Sequence, residues 1–303
     1  MNQGSRGARP LRRRPDGSLD VRRHAVRPDL AAENLRDTVE SPSYAAGHWA
    51  QVVHASAPVR RRPAATAALD TEALHGEVVV VYEEAEGWSW VQLLRDDYVG
   101  YMPSSALSQE VAWGTHRVRS IGTFVYPDPD IKAPPLAHLS LNSMVTVTGT
   151  TDAFSELARG GFIVTRHLAD EGTFSRDFVE VAERFIGTPY LWGGRTRLGI
   201  DCSGLVQVAM EAAGTACPRD SDMQQAETGT TVLIPETLDG LKRGDLVFWP
   251  GHVGIMSDGL MLVHANAHQM SVTVETLPEA VERIARSSGS KPTAIKRLDT
   301  YTV

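Results

Sequence analysis

Hydrophobic positions change their period along the chain, and each change predicts a different kind of element. Between Gln51 and Leu107 the apolar residues come in short runs: Val52-Val53, Glu77 to Tyr82, Trp88 to Leu93 and Tyr98 to Met102, separated by Gly, Asp and Glu clusters. Runs of this length and punctuation predict the strands of a small β-barrel. A second pass of the pattern follows from about Val111 to Ala169. There Ser143 to Thr148 echoes the Val78 run and Gly160 to Thr165 echoes Tyr98 to Met102, so an internal repeat is expected. Past Thr173 the period lengthens. Phe178, Val179, Ala182, Phe185 and Ile186 share one helical face, with Ser175 as the expected N-cap and Gly187 and Pro189 as the stop. Leu205, Val206, Val208, Ala209, Ala212 and Ala213 then predict a second helix, closed by a left-handed cap at Gly214. Strand-like runs complete the chain at Gly244 to Trp249, His252 to Met256, Leu260 to His264, Ser271 to Val274 and Ala294 to Arg297. Helices followed by antiparallel strands read as α+β. The expected divisions are an arm over 1–45, β domains over 46–110 and 111–172, and an α+β domain over 173–303.

Composition narrows the classes of function. A chain of 303 residues with 42% hydrophobic content is globular and too long for one ordinary core. A formal net charge of −7 leaves no electrostatic footprint for nucleic acid or anionic lipid. The basic residues Arg6, Arg9, Arg12, Arg13 and Arg14 stand among Gly, Ser and Pro with no apolar run behind them. They predict a solvated, partly disordered arm with a short helix near Leu30 to Leu35, rather than a secretory signal or membrane span. Cys202 and Cys217 are the only cysteines, which argues against a disulfide framework and for a reducing cytoplasm. Neither has a Cys or His partner at zinc-site spacing, so no metal or other cofactor is expected.

Candidate chemistry centres on Cys202, at the mouth of the second helix. Opening N–H groups and the positive end of the helix dipole favour thiolate, which predicts a depressed thiol pKa. A nucleophile needs a base and the base an orienting group, and His252 and His264 flank a predicted hairpin. With Ser257-Asp258-Gly259 as a three-residue loop carrying Gly in the left-handed position, 252 lies opposite 264 and both rings face one side. A two-residue Asp258-Gly259 turn would put them on opposite faces, and the pattern does not choose. His54, His75, His138, His167 and His268 read as ordinary hydrogen-bonded residues, and Cys217 as filler.

Two resemblances sharpen the picture. Gly76-Glu77 before the Val run, Gly87-Trp88 before the next strand and Tyr98 to Tyr101 resemble a bacterial SH3-like domain, and with the repeat suggest two in tandem. Residues 175–297 resemble the NlpC/p60 family of papain-like cysteine peptidases that cut cell-wall peptides. The resemblance rests on Gly187 to Gly194, Asp201-Cys202-Ser203-Gly204, Lys242 to Trp249, Gly251 to Ile255 and Val263-His264-Ala265, in family order. It implies a papain-like catalytic domain with Cys202 as nucleophile, His252 as base, His264 as the third polar residue, and Tyr190 helping to stabilise the oxyanion. Tandem SH3-like domains ahead of it resemble the γ-D-glutamyl-L-diamino acid endopeptidases, which act on muropeptides with a free N-terminal L-Ala. Pro218 to Gln224 is similar to that group's amine-binding signature. The likeness implies Asp220 and Ser221 as substrate residues, with Glu77 and Tyr98 from the SH3-like side. Asp201 and Ser203 flank the cysteine and are expected to line the site.

The expected partner is thus a peptidoglycan-derived peptide, turned over inside the cell. The alternatives from the same residues are an N-acetylmuramoyl-L-alanine amidase or related acyl transferase, and a non-catalytic wall-peptide binder. Whether diaminopimelate or lysine occupies the third position is not legible.

Overall fold

The computed structural model describes residues 11–14, 16–233 and 237–298. Seven strands form the first β unit: β1 (His48–Val52), β2 (Ser56–Arg60), β3 (Leu69–Leu74), β4 (Val78–Ala85), β5 (Trp88–Leu93), β6 (Val99–Pro103) and β7 (Leu107–Ser108). They pair in the order β3-β2-β6-β5-β4-β1-β7 around a core of Val52, Val59, Val79, Val91, Leu93 and Met102. Strands β2 and β3 were not evident in the sequence. In β2 only Ala57 and Val59 face inward, and a pair of small residues gives little periodic signal.

The second β unit holds β8 (His116–Val118), β9 (Gly122–Val125), β10 (Ala137–Ser140), β11 (Met144–Val145), β12 (Val147–Thr150), β13 (Phe154–Leu157), β14 (Phe162–Val164) and β15 (Leu168–Asp170). These make three small antiparallel sheets over a separate core of Val118, Leu139, Val145 and Ile163. The run from Ser143 to Thr148, expected as one strand, is two: β11 pairs with β8 and β12 with β13.

The C-terminal domain is α+β. Helices α1 (Phe178–Glu183), α2 (Cys202–Ala212) and α3 (Ser221–Glu227) precede a sheet of β16 (Thr230–Val232), β17 (Leu246–Trp249), β18 (His252–Met256), β19 (Met261–Asn266), β20 (Ser271–Thr276) and β21 (Ala294–Arg297). The sheet runs β16-β21-β17-β18-β19-β20, antiparallel throughout, with α4 (Leu277–Ser288) after β20. Asp177, not Ser175, caps α1, because its carboxylate accepts from the N–H groups of Val179 and Glu180. Helix α2 ends as its pattern predicts, with Gly214 left-handed at φ 80°. It is buried almost all round, its apolar residues against α1 and the sheet and its polar Ser203 and Gln207 by hydrogen bonds with Arg219 and Asp96.

Residues 16–40 are not the loosely packed arm their polarity predicts, while residues 1–10 and 15 lie outside the described residues. Ala25, Leu30, Ala32 and Leu35 are buried against Trp90. The expected helix near Leu30 is a single 3-10 turn over Glu33–Leu35. Arg27 stacks 4.5 Å above the Trp90 ring and pairs with Glu83 at 2.6 Å. A few apolar residues suffice here because they gather on one large ring, which is buried beneath them.

The first β unit lies directly on the C-terminal domain. Gly193 is left-handed at φ 78°, and a Cβ there would stand 2.8 Å from the Leu69 carbonyl oxygen. Gly193→Ala is therefore expected to cost about 1–3 kcal/mol in backbone strain before the collision is counted. The check is the midpoint of urea unfolding, which should fall in the variant.

Candidate active site

Asp201 builds the mouth of α2. Its backbone is extended, and its Oδ1 accepts from the N–H of Gly204 at 2.7 Å, an N-cap. Its Oδ2 accepts from the Gly193 N–H and from Arg219 Nη2, both at 2.7 Å. Arg219 is fully buried and also donates to Ser203 Oγ at 2.8 Å and, from the first β unit, to Thr71 Oγ1 at 2.9 Å. One carboxylate and one guanidinium thus fix the helix mouth, the Gly193 turn and strand β3 together. Asp201 and Ser203 are buried yet still line the cleft, so capping and lining coexist.

Cys202 is the first residue of α2 and is itself buried. The expected depressed pKa is not found. Burial, then the Asp201 carboxylate, push the thiol up to about 12, against weaker opposition from backbone N–H groups of Val253 and Ser203 and from Arg219. The cost of taking a thiolate out of water and the charge of the capping residue outweigh the helix dipole.

The two histidines do meet. Strand β18 pairs with β19 in the register Ile255↔Val263 and Met256↔Leu262, which sets Gly254, rather than His252, across from His264. The loop is Asp258-Gly259-Leu260, one residue later than predicted, and Gly259 is not left-handed. The reason is the Asp258 side chain, whose Oδ1 accepts from the N–H groups of Leu260 and Met261 at 2.7 Å and makes the turn itself. A shift of two residues preserves the face, so the rings become diagonal neighbours. His252 Nε2 lies 2.9 Å from His264 Nδ1. Val253 turns its N–H to the Cys202 sulfur and Gly251 lines the cleft, which brings β18 to the cysteine. Burial, and after it His264, lower the His252 pKa to about 3. The resting cysteine and histidine are therefore both neutral.

The cleft has a volume of about 460 Å³, and its opposite wall carries Tyr98, Asp220 and Ser221. Asp220 occupies the N-cap position of α3 but makes no side-chain cap. Its carboxylate turns to the cleft instead, where Tyr98 Oη donates at 3.3 Å and Arg22 Nη1 at 2.9 Å. Burial raises the Asp220 pKa, and Arg219 and Arg22 oppose the rise. Tyr190 lines the cleft beside Cys202, and burial with the nearby Cys202 and Asp201 charges raises its phenol pKa, so it remains an O–H donor.

Glu77 is not brought to this cleft. It pairs with Arg95 at 2.9 Å and Arg195 at 3.1 Å in a buried charge cluster that also holds Glu211. Glu77 stands just before β4, and Arg195 links its carboxylate to Glu211 at the C-terminal end of α2, away from Cys202. From the first β unit, Asp70 reaches the cleft instead, paired with Arg61 at 2.6 Å.

Several site residues escaped the sequence reading. Arg22 had no signal, because it lies in a stretch that reads as a solvated tail. Arg219 lies inside a recognised motif without an assigned part. Glu275 alternates correctly with Val272 and Val274 on β20, but only the fold reveals its partners, His264 and Arg283.

Comparison with known proteins now decides the family. The model of the NlpC/P60 family matches residues 187–284, and that of the bacterial dipeptidyl-peptidase Sh3 domain matches residues 59–107. The chain carries an NlpC/P60 domain and is a cysteine peptidase. This NlpC/P60 peptidase is 29% identical over 271 residues to dipeptidyl-peptidase 6 of Lysinibacillus sphaericus, covering 82% of this chain and 98% of that protein. It is 27% identical over 237 residues to the gamma-D-glutamyl-L-lysine dipeptidyl-peptidase of Bacillus subtilis, covering 70% and 77%. Its fold matches that of an NlpC/P60 family protein from Bacillus cereus with a TM-score of 0.68 at 21% identity, over 82% and 99% of the two chains. No helix of the described residues is long and apolar enough to cross a membrane.

A neutral resting pair has a measurable signature. Alkylation of Cys202 by iodoacetamide is expected to accelerate throughout the alkaline range, without the plateau above neutral pH that a preformed thiolate gives. Mass-spectrometric labelling rates against pH check this, and an inflection below neutrality would contradict it.

Proposed function

We propose that this peptidase hydrolyses the amide bond between γ-D-glutamate and the diamino acid in muropeptides that carry a free N-terminal L-Ala. Cys202 loses its proton to His252 as the sulfur attacks the carbonyl, so that charge appears only in the reacting complex. Tyr190 and the opening N–H groups of α2 receive the oxyanion. The amine leaves with the proton from His252, and a thioester of L-Ala-γ-D-Glu remains on Cys202. Water then attacks with His252 as base, and His264 holds that imidazole in place.

The observation that carries the reading is the Asp220 carboxylate, uncapped and half-buried beside Tyr98 in the same cleft as Cys202. Arg22, itself an organic cation, already sits on its Oδ2 edge. The Oδ1 edge meets only the Tyr98 hydroxyl, at 3.5 Å, among the described residues and is left for the substrate ammonium. Ser221 stands beside it as a second polar contact. An acylated amine would leave the carboxylate without its ligand cation, which gives discrimination. The name of the Bacillus subtilis relative, a gamma-D-glutamyl-L-lysine dipeptidyl-peptidase, favours a γ-D-glutamyl bond to a diamino acid.

The second β unit is read as a second SH3-like copy. Like the first, it pairs its first long-range strand with its last, and a 3-10 turn precedes that last strand in each: Ser104–Ala106 and Thr165–His167. The requirement for a free amine points to released peptides as substrate, hence to recycling rather than remodelling of intact wall.

Three assays test the reading. Cys202→Ala should abolish turnover with the fold retained. L-Ala-γ-D-Glu-diaminopimelate should be cut and its N-acetylated form should not; equal cleavage of both would favour an amidase-like or broader acyl-transfer activity. Asp220→Asn should raise KM for the free amine roughly 10- to 100-fold, the worth of a hydrogen bond to a charged group, and erase the discrimination. In the parent enzyme KM should climb as pH falls through the raised Asp220 pKa, because the protonated carboxyl no longer pairs with the ammonium.

A further inference from the structure

Behind the two histidines lies a carboxylate that neither the family motifs nor the relatives' names assign. Glu275 lies on β20, on the same face as Thr273, which pairs with His264 across the ladder. Its Oε1 is 2.8 Å from His264 Nε2, and Arg283, from α4, pairs with the same carboxylate. The helix is well built to deliver that arginine. Thr276 and Glu279 form a capping box at its start, Pro278 opens the first turn, and Gly289 closes it in the left-handed region.

Proton bookkeeping along this line follows from hydrogen-bond chemistry when each ring carries a single proton. Burial alone would raise the Glu275 pKa, but hydrogen bonds from His264 and Arg283 outweigh it and hold the carboxyl at about 2. Glu275 is therefore an ionised group that can only accept. A His264 ring that carries one proton must hold it on Nε2, facing Glu275, and then presents a lone pair at Nδ1. The 2.9 Å contact with His252 Nε2 can be a hydrogen bond only if His252 supplies the proton. That leaves the His252 Nδ1 lone pair free, and this is the atom a general base needs.

We propose that Glu275 is a positioning residue that fixes the tautomers of both histidines in series, so that His252 presents an unprotonated Nδ1 to Cys202. The inference rests on the reading of Cys202 and His252 as nucleophile and base. His264 is completely buried, so no solvent can supply an alternative partner to its Nε2. Arg283 keeps the carboxylate from swinging away, and its own Nε stands 3.4 Å from Oε2. The groups facing the pair are Glu275 and Arg283 on His264, and His264 with the Trp249 ring on His252.

Glu275→Gln is the informative substitution, because its amide can turn an N–H toward His264 Nε2. The chain then reverses: His264 becomes protonated at Nδ1, His252 accepts at Nε2, and its proton moves to Nδ1, where it blocks the base. kcat for the muropeptide is expected to fall roughly 10- to 100-fold, less than for loss of a residue touching the base itself, with KM little changed. Glu275→Asp, which can only accept, should recover part of the rate. In a double-mutant cycle with His264→Ala, the Glu275→Gln change should add little, because its route to His252 is already cut. A fully independent change in the cycle, or an unchanged kcat in folded Glu275→Gln enzyme, would overturn the proposal.

A readout without substrate separates this inference from the assignment of the reaction. In histidine-selectively 15N-labelled enzyme near neutral pH, both rings should show the Nε2–H tautomer, and Glu275→Gln should convert both to Nδ1–H. A parent enzyme with His252 protonated at Nδ1 would refute the series even if the peptidase activity is as proposed. Should Glu275→Gln fail to fold, the parent spectrum still decides.

Discussion

The buried pair of Asp201 and Arg219 is the constraint on which the site depends. Asp201 must accept from Gly204 to open α2 at Cys202, from Gly193 to fix the facing turn, and from Arg219 to balance its charge. Arg219 in turn holds Ser203 and reaches Thr71 on the first β unit, so the helix that opens at Cys202 and the wall of the cleft share one node. A buried ion pair of this kind is costly to desolvate, and losing one partner typically costs about 3–5 kcal/mol because the other charge is stranded. Stability is thus spent to place two domains around a cysteine.

That node also sets the chemistry. Burial of Cys202, with a carboxylate beside it, disfavours the thiolate that the helix dipole alone would favour. His252 is likewise held neutral by burial and by its neighbour. The pair is therefore loaded with one proton in the right place rather than pre-ionised, and the charge develops when a carbonyl is in reach. In the proposed reaction such an arrangement limits the reactivity of the free enzyme toward stray electrophiles, while His252 stays in line with His264 and Glu275 on the β18–β19–β20 ladder.

Much of this was legible in the residues, and what was not has identifiable causes. Helix α2 and its Gly214 cap follow from apolar spacing, and the histidine pair survived a wrong loop because a slip of two residues restores the face. The loop itself was misplaced because the Asp258 side chain outranks glycine in making the turn. Strand β2 was invisible because small residues fill its inward positions. The arm was read as solvated because its arginines are polar in sequence, yet Arg22 and Arg27 are engaged with Asp220 and Trp90 in space. Glu77 fits a family pattern locally, but Arg95 and Arg195 claim it. Long-range ion pairs of this sort leave no mark on periodicity, and they account for most of the differences.

The central claim is that Cys202 attacks the γ-carbonyl of D-glutamate and keeps the L-Ala end of the peptide. Rapid acid quench of a single turnover on L-Ala-γ-D-Glu-diaminopimelate, followed by peptide mapping in the mass spectrometer, tests this directly. The expected result is an L-Ala-γ-D-Glu acyl group on the Cys202 peptide, with the diamino acid released. An adduct that retains the diamino acid, or turnover with no acyl group on Cys202 at any time, would contradict it.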